Sequence, residues 1–122
     1  MSPTVFRVLF FVATCVATFG FFMELKAGGG GFAHKDKIVH ILVFFTLTWL
    51  YCKGFSCTLI KVIFIAATYG AAIEILQGEF FGREASFADW VADMLGALGA
   101  FYLVKRFQQS TNPALTPEPK QD

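Results

Sequence analysis

Seven polar side chains lie within or beside apolar stretches of this chain, and their types are those of ligand-binding and acid–base sites. They are His40, Glu74, Gln77, Arg83, Ser86, Asp89 and Asp93. A carboxyl group or an imidazole in such a place can transfer protons, and an arginine can bind an anion. An ionised carboxylate costs about 2.5–3.5 kcal/mol at the centre of a membrane helix, so residues of this kind indicate a functional polar cluster.

The spacing of these residues places them on two helix faces. Glu74 and Gln77 are three residues apart. Ser86, Asp89 and Asp93 follow one another at intervals of three and four, which is the spacing of neighbours along a helix. Small residues next to both stripes predict close helix packing at Gly70, Gly96 and Gly99. In an up-and-down bundle the start of the second helix, the end of the third and the start of the fourth meet at one end, so we expect the candidates to converge there.

Most candidates also have a purely structural interpretation. Ser86 and Asp89 resemble a helix N-cap, in which a hydroxyl and a carboxylate satisfy free backbone amides. Glu74 can pair with a nearby arginine for structure alone, and His40 can be a hydrogen-bonding residue at a membrane edge. Asp93 is harder to explain in this way, because it lies seven residues, or about 10 Å, beyond Ser86 along the helix.

The composition indicates that the helices carrying these residues lie in a membrane. Of the 122 residues, 56% are hydrophobic and only 16% are charged. A small soluble domain needs a larger charged share to cover its surface. Polar bias, a Gly-X-Y repeat and abundant cysteine are missing, which excludes a disordered chain, a collagen-like fibre and a disulfide-rich scaffold. A basic stripe is missing too, so we expect no nucleic-acid partner.

Apolar runs predict an all-α integral membrane bundle of four transmembrane helices with a disordered C-terminal tail. A span of about 20 apolar residues crosses a bilayer. The predicted helices cover about 5–23, 37–52, 58–77 and 87–104, within one membrane domain over 1–106. The Gln-, Ser- and Pro-rich residues 107–122 are predicted to be the disordered tail, on the cytoplasmic side. A cleaved signal peptide is the alternative interpretation of the first run.

The distribution of basic residues gives the expected orientation. The cations on the side of the termini are Arg7, Lys53, Lys61, Lys105 and Arg106, and those on the other side are Lys26, Lys35, Lys37 and Arg83. Five against four favours cytoplasmic termini, with the polar end of the bundle outside. Cys52 and Cys57 would then flank a cytoplasmic turn and stay reduced.

The order and spacing of these motifs resemble a known family, the VanZ-like membrane proteins, named for an accessory factor in teicoplanin resistance. The motifs run from Asp36-Lys37-x-x-His40 through Tyr69-Gly70 and Glu74-x-x-Gln77 to Arg83, Ser86, Asp89 and Gly96-x-x-Gly99. The resemblance covers roughly residues 35–103. Asp93 departs from it, because the family commonly has asparagine there. The resemblance implies a bacterial cytoplasmic-membrane protein without a settled reaction.

We expect the seven candidate residues to bind a cell-envelope lipid or its headgroup at the outer membrane edge, and thereby to modulate glycopeptide susceptibility. Membrane lipids are the expected partners, and Arg83, Lys35 or Lys37 the expected cations facing the acids. No cofactor and no metal are expected, because the acids follow no recognised metal-binding spacing. Alternatives are an intramembrane enzyme acting on a phospholipid or polyprenyl-linked substrate, a small ion- or proton-coupled transporter that needs a homo-oligomer, and a polar network with only a structural role.

Overall fold

Four long α-helices make up the described part of the chain. A computed structural model describes residues 1–24, 35–81 and 86–111. The helices are α1 (Pro3–Glu24), α2 (Lys35–Gly54), α3 (Leu59–Phe81) and α4 (Phe87–Thr111). Each is long and apolar enough to cross a membrane, and the described ranges contain no strand. The predicted all-α bundle of four membrane-length helices, and with it a multi-pass membrane protein, is confirmed.

Two helices extend well beyond their predicted C-terminal ends. α3 continues through Gly78 to Phe81, because a single glycine costs a helix only about 1 kcal/mol relative to alanine. α4 continues past Arg106 to Thr111, so residues 107–111 are helical and the prediction that they belong to a disordered tail is wrong. Gln and Arg are good helix formers, which favours a helical conformation in this segment. Residues 112–122 of the predicted tail lie outside the described residues.

The N-terminal half of α1 is fixed to the far end of α2. The side chain of Arg7 donates a hydrogen bond from Nε to the Gly54 carbonyl oxygen at 2.7 Å. Its guanidinium also lies 5.4 Å from the ring centre of Phe55. A cation at the C-terminal end of a helix satisfies a free carbonyl and the negative end of the helix dipole. Arg7 therefore positions α1 against α2.

Helices α2 and α4 make the most extensive contact in the bundle. α1 packs on α2, α3 packs on α4, and α2 makes few contacts with α3. Ala92, Gly96 and Ala100 are buried, and a Cβ atom built at Gly96 would overlap the backbone of Ile41 on α2. Small residues thus permit the approach of α2 and α4, whereas a Cβ atom at Gly99 would meet Phe45 at an ordinary 3.8 Å.

The surface of the bundle is apolar, as contact with membrane lipids requires. Many large side chains point outward, among them Phe11, Phe19, Ile60, Phe64 and Phe107. The interior holds a smaller set of packed residues, including Phe21, Phe44, Ile73, Phe101 and Val104. A soluble bundle of equal length would instead surround such an apolar interior with a polar surface.

The turn between α2 and α3 contains a disulfide. Cys52 and Cys57 are joined, with their Cα atoms 4.8 Å apart. The prediction that both cysteines stay as reduced thiols is therefore wrong in this structure. The spacing of five residues spans a tight turn after the end of α2, which brings the two side chains together.

Candidate functional site

The start of α2, the end of α3 and the start of α4 meet at one end of the bundle, as the up-and-down order of the helices predicts. We call the group His40, Glu74, Ser86, Asp89 and Asp93 the polar cluster. His40, Glu74 and Asp93 each expose 5% or less of their surface. Ser86 and Asp89 are half-buried at the first turn of α4. Polar groups from three helices therefore meet inside one end of the bundle, where the surrounding side chains shield most of them from solvent.

The innermost contact of the polar cluster joins α2 to α4. Nδ1 of His40 lies 2.6 Å from Oδ1 of Asp93. An ionised carboxylate only accepts hydrogen bonds, so the imidazole donates from Nδ1, and in a neutral imidazole the lone pair is then on Nε2. The ring of Phe21 on α1 stacks on the imidazole with 4.6 Å between centres. Asp93 therefore fixes both the tautomer and the orientation of His40.

Asp93 also depends on a glycine of α3. A Cβ atom at Gly70 would lie only 2.7 Å from Oδ2 of Asp93 and 3.4 Å from the Trp90 ring. This separation is too short for a real side chain. Gly70 therefore leaves the room in which the fully buried Asp93 carboxylate fits, which the sequence indicated only as a general packing position.

Glu74 holds the beginning of α4. Its Oε2 accepts a hydrogen bond from the backbone N–H of Ser86 at 2.9 Å. The Ser86 hydroxyl oxygen in turn accepts the N–H of Asp89 at 3.2 Å. Ser86 therefore caps α4 as predicted. The carboxylate that completes the cap belongs to Glu74 of α3 and not to Asp89. Negative charge at a helix N-terminus is stabilised by the helix dipole.

Two other candidates stand apart from this arrangement. Gln77 is buried and donates from Nε2 to the Phe21 carbonyl oxygen at 3.3 Å, which ties the end of α3 to α1. Arg83, the expected cationic partner of the acids, lies outside the described residues. The described cation nearest the acids is Lys37, whose Nζ lies 3.7 Å from Oδ1 of Asp89. That distance is an ion pair without a hydrogen bond, and Lys37 is 37% exposed.

Sequence reasoning missed the aromatic residues around the polar cluster. Trp90 donates from Nε1 to the Ala67 carbonyl oxygen at 3.1 Å and joins α4 to α3. It also borders a groove between these helices, whose lining residues are Ala71, Glu74, Ile75, Ser86, Phe87 and Trp90. The position of Trp90 directly after Asp89 was the available indication, because tryptophan is enriched at membrane interfaces.

Three buried carboxylate oxygens of the polar cluster have no hydrogen-bond partner among the described residues. They are Oε1 of Glu74, Oδ1 of Asp89 and Oδ2 of Asp93. A buried polar atom left without a partner costs about 1–3 kcal/mol, and more when it is charged. His40, Glu74 and Asp89 also offer one ligand atom each within 4.8 Å of one another. The geometry therefore favours a hydrogen-bond donor or a cation from outside these residues.

Comparisons of the chain with protein-family models, with curated proteins and with solved structures find no match. The resemblance to VanZ-like proteins therefore stays an expectation from the sequence motifs. Function has to be inferred from the chemistry of the polar cluster.

Proposed function

We propose that this protein binds the polar head of a membrane lipid at the polar cluster. One observation carries the proposal. Glu74, Asp89 and Asp93 each have a buried carboxylate oxygen without a hydrogen-bond partner among the described residues, and they lie at one end of four membrane-length helices. Lipid headgroups lie at this depth of a bilayer. Carboxylate oxygens accept hydrogen bonds, so the matching headgroup carries hydroxyl or ammonium donors.

A lateral path to the polar cluster supports a lipid as the ligand. The groove between α3 and α4 is mostly apolar, with Ile75, Phe87 and Trp90 along its walls. Glu74 and Ser86 border the same groove. A lipid arriving from the bilayer can thus keep its chain against apolar side chains while its headgroup approaches the acids.

The VanZ-like motifs suggest which lipids to test first. They indicate a bacterial cytoplasmic membrane and a link to glycopeptide susceptibility, so the proposed ligand is a cell-envelope lipid. Five cations against four support cytoplasmic termini, with the polar cluster outside. The Cys52–Cys57 disulfide supports the opposite orientation, with the termini outside. Disulfides persist in oxidising compartments, and this turn lies on the side of the termini. Lipid binding itself does not depend on the orientation.

A second candidate function, an intramembrane enzyme, is favoured by the contact between His40 and Asp93. A carboxylate 2.6 Å from an imidazole orients it as a general base. The test is turnover of phospholipid or polyprenyl-linked substrates by protein in nanodiscs. Product formed by the wild type and lost in His40→Ala supports catalysis, whereas lipid that binds and stays unchanged supports a binding protein.

Lipid co-purification tests the proposed function. Wild-type protein, Glu74→Gln and the control Glu79→Gln are extracted in mild detergent, and bound lipids are identified by native mass spectrometry. Glu79 is exposed on the same helix, so its substitution removes one charge without touching the polar cluster. We expect wild type and Glu79→Gln to retain the same lipid, and Glu74→Gln to lose it. Equal lipid retention in all three proteins contradicts the proposal.

A cellular assay tests the proposed phenotype. A deletion strain is complemented with each of the three proteins, and its susceptibility to a glycopeptide is measured at matched expression. We expect the wild type and Glu79→Gln to restore the parental susceptibility and Glu74→Gln to fail. Full rescue by Glu74→Gln at normal expression removes the link between the polar cluster and the phenotype.

A further inference from the structure

Beyond lipid binding, we propose that the polar cluster is a site for one divalent transition-metal ion, Zn²⁺ or Mn²⁺. The ligands are the imidazole of His40 and the carboxylates of Glu74 and Asp89. Their ligand atoms lie within 4.8 Å of one another. Three atoms bound to one ion at about 2.0–2.2 Å lie about 3.3–3.8 Å apart. The ligand atoms must therefore approach one another by up to about 1.5 Å, and the soft terminal torsions of the two carboxylates permit this movement.

Both carboxylate ligands of the proposed site have an oxygen without a hydrogen-bond partner among the described residues. Glu74 exposes only 5% of its surface. Its Oε2 accepts a hydrogen bond from the Ser86 N–H, whereas its Oε1 has no hydrogen-bond partner among the described residues. Oδ1 of Asp89 is buried without a hydrogen bond as well. A buried carboxylate oxygen without a hydrogen bond from each of two helices, beside an imidazole, is a donor set that suits a borderline metal ion.

Asp93 has the position of an orienting residue for the metal ligand. Ligand histidines usually donate their second ring N–H to a carboxylate, which fixes the ring and makes the other nitrogen more basic. His40 donates from Nδ1 to Asp93 at 2.6 Å, so Nε2 is the ring nitrogen left for the ion. The stacked ring of Phe21 and the small residue Gly70 hold this pair in place.

The charges of the polar cluster support a dication. Among the described residues, the carboxylates of Glu74, Asp89 and Asp93 face one ammonium, that of Lys37. With a neutral imidazole and three ionised carboxylates, two negative charges remain without compensation among the described residues. A divalent cation compensates these two negative charges, and buried carboxylates without such compensation are costly.

The metal proposal deepens the proposed function, because three protein ligands leave an ion with open positions for water or a headgroup oxygen. The metal site itself needs no lipid. The two proposals can therefore fail separately, and metal binding has to be measured on lipid-free protein.

Metal counting tests the site. Tag-free protein in detergent is stripped with EDTA and equilibrated with Zn²⁺, Mn²⁺ or Mg²⁺. Bound metal is counted by plasma mass spectrometry, and affinity is measured by titration calorimetry. We expect about one Zn²⁺ or Mn²⁺ per chain, and Glu79→Gln should bind like the wild type. Glu74→Gln should lose at least about tenfold in affinity, and Asp93→Asn roughly 10–100-fold, as orienting residues do.

Two further measurements keep the test decisive. Asp89→Asn, at a half-buried position, replaces Glu74→Gln if the latter does not fold. Co²⁺ absorption spectra of Asp93→Asn should differ from those of the wild type, a change that lost packing alone does not produce. Stripped wild-type protein that binds no Zn²⁺ or Mn²⁺ below millimolar concentrations overturns the proposal, as does affinity equal to wild type in both ligand variants. If the protein retains lipid after EDTA treatment but binds no metal, the metal proposal is wrong and the proposed lipid-binding function is retained.

Discussion

Replacing Gly96 by alanine should separate α2 from α4 and damage the polar cluster at the same time. A Cβ atom at Gly96 would overlap the Ile41 carbonyl oxygen and lie 3.1 Å from the Ile41 Cα. Carbon atoms in favourable contact are about 3.5–4.0 Å apart. The obstacle is backbone, which cannot rotate away, so the helices must part by at least about 0.5 Å.

The same separation stretches the contact between His40 and Asp93, because His40 precedes Ile41 and Asp93 lies one turn before Gly96. Their atoms are now 2.6 Å apart, and about 0.5 Å more brings them to the long end of the hydrogen-bond range. Overpacking of this kind costs about 1–3 kcal/mol. We therefore expect the free energy of unfolding of Gly96→Ala to fall by that amount, together with a weaker imidazole hydrogen bond.

Gly99→Ala is the matched control, three residues further along the same helix. Its Cβ atom would meet Phe45 at 3.8 Å, an ordinary contact, and alanine is the better helix former by about 1 kcal/mol. Unfolding in mixed micelles is followed by circular dichroism for both variants and the wild type. We expect Gly99→Ala to match or exceed the wild type. If Gly96→Ala and Gly99→Ala are equally stable, the close approach of α2 and α4 is refuted.

Three other perturbations test separate contacts. Arg7→Met removes the hydrogen bond to the Gly54 carbonyl and should lower the free energy of unfolding by about 1–2 kcal/mol in the same assay. An unchanged free energy of unfolding would show that Arg7 does not stabilise the packing of α1 on α2. Gly70→Ala should push Oδ2 of Asp93 away, seen by NMR as loss of the downfield imidazole N–H proton, and an unshifted proton would contradict the tight fit. With cytoplasmic termini, a C-terminal green fluorescent protein fusion should fluoresce and a C-terminal alkaline phosphatase fusion should be inactive; the opposite pattern would favour the orientation suggested by the disulfide.

The fold was predictable because a bilayer requires it. Runs of about 20 apolar residues with few charges can only cross a membrane as helices, which satisfy their own backbone groups. The C-terminal ends of α3 and α4 were less predictable. The apolar run predicts a fourth helix over about 87–104, before Lys105-Arg106, but a cation at a membrane edge does not stop the backbone, and α4 continues to Thr111. The orientation was weakly determined, because positive charge is nearly equal on the two sides.

The members of the polar cluster were predictable from spacing, whereas their pairing was not. Helix periodicity identified Glu74, Asp89 and Asp93 as inward-facing residues that should meet. It could not give the partners, because His40 with Asp93 and Glu74 with Ser86 are contacts between different helices. The sequence shows no metal-binding motif for the same reason. Recognised metal motifs rely on regular spacing along one segment, whereas His40, Glu74 and Asp89 come from three helices.

A structure in a lipid bilayer would show whether the polar-cluster oxygens without a hydrogen bond receive a ligand from outside the chain. We expect density for a headgroup or a metal ion within bonding distance of Oε1 of Glu74 and Oδ1 of Asp89. Both oxygens hydrogen-bonded to residues of the chain itself, with no further density, would contradict it and leave the polar cluster a structural network.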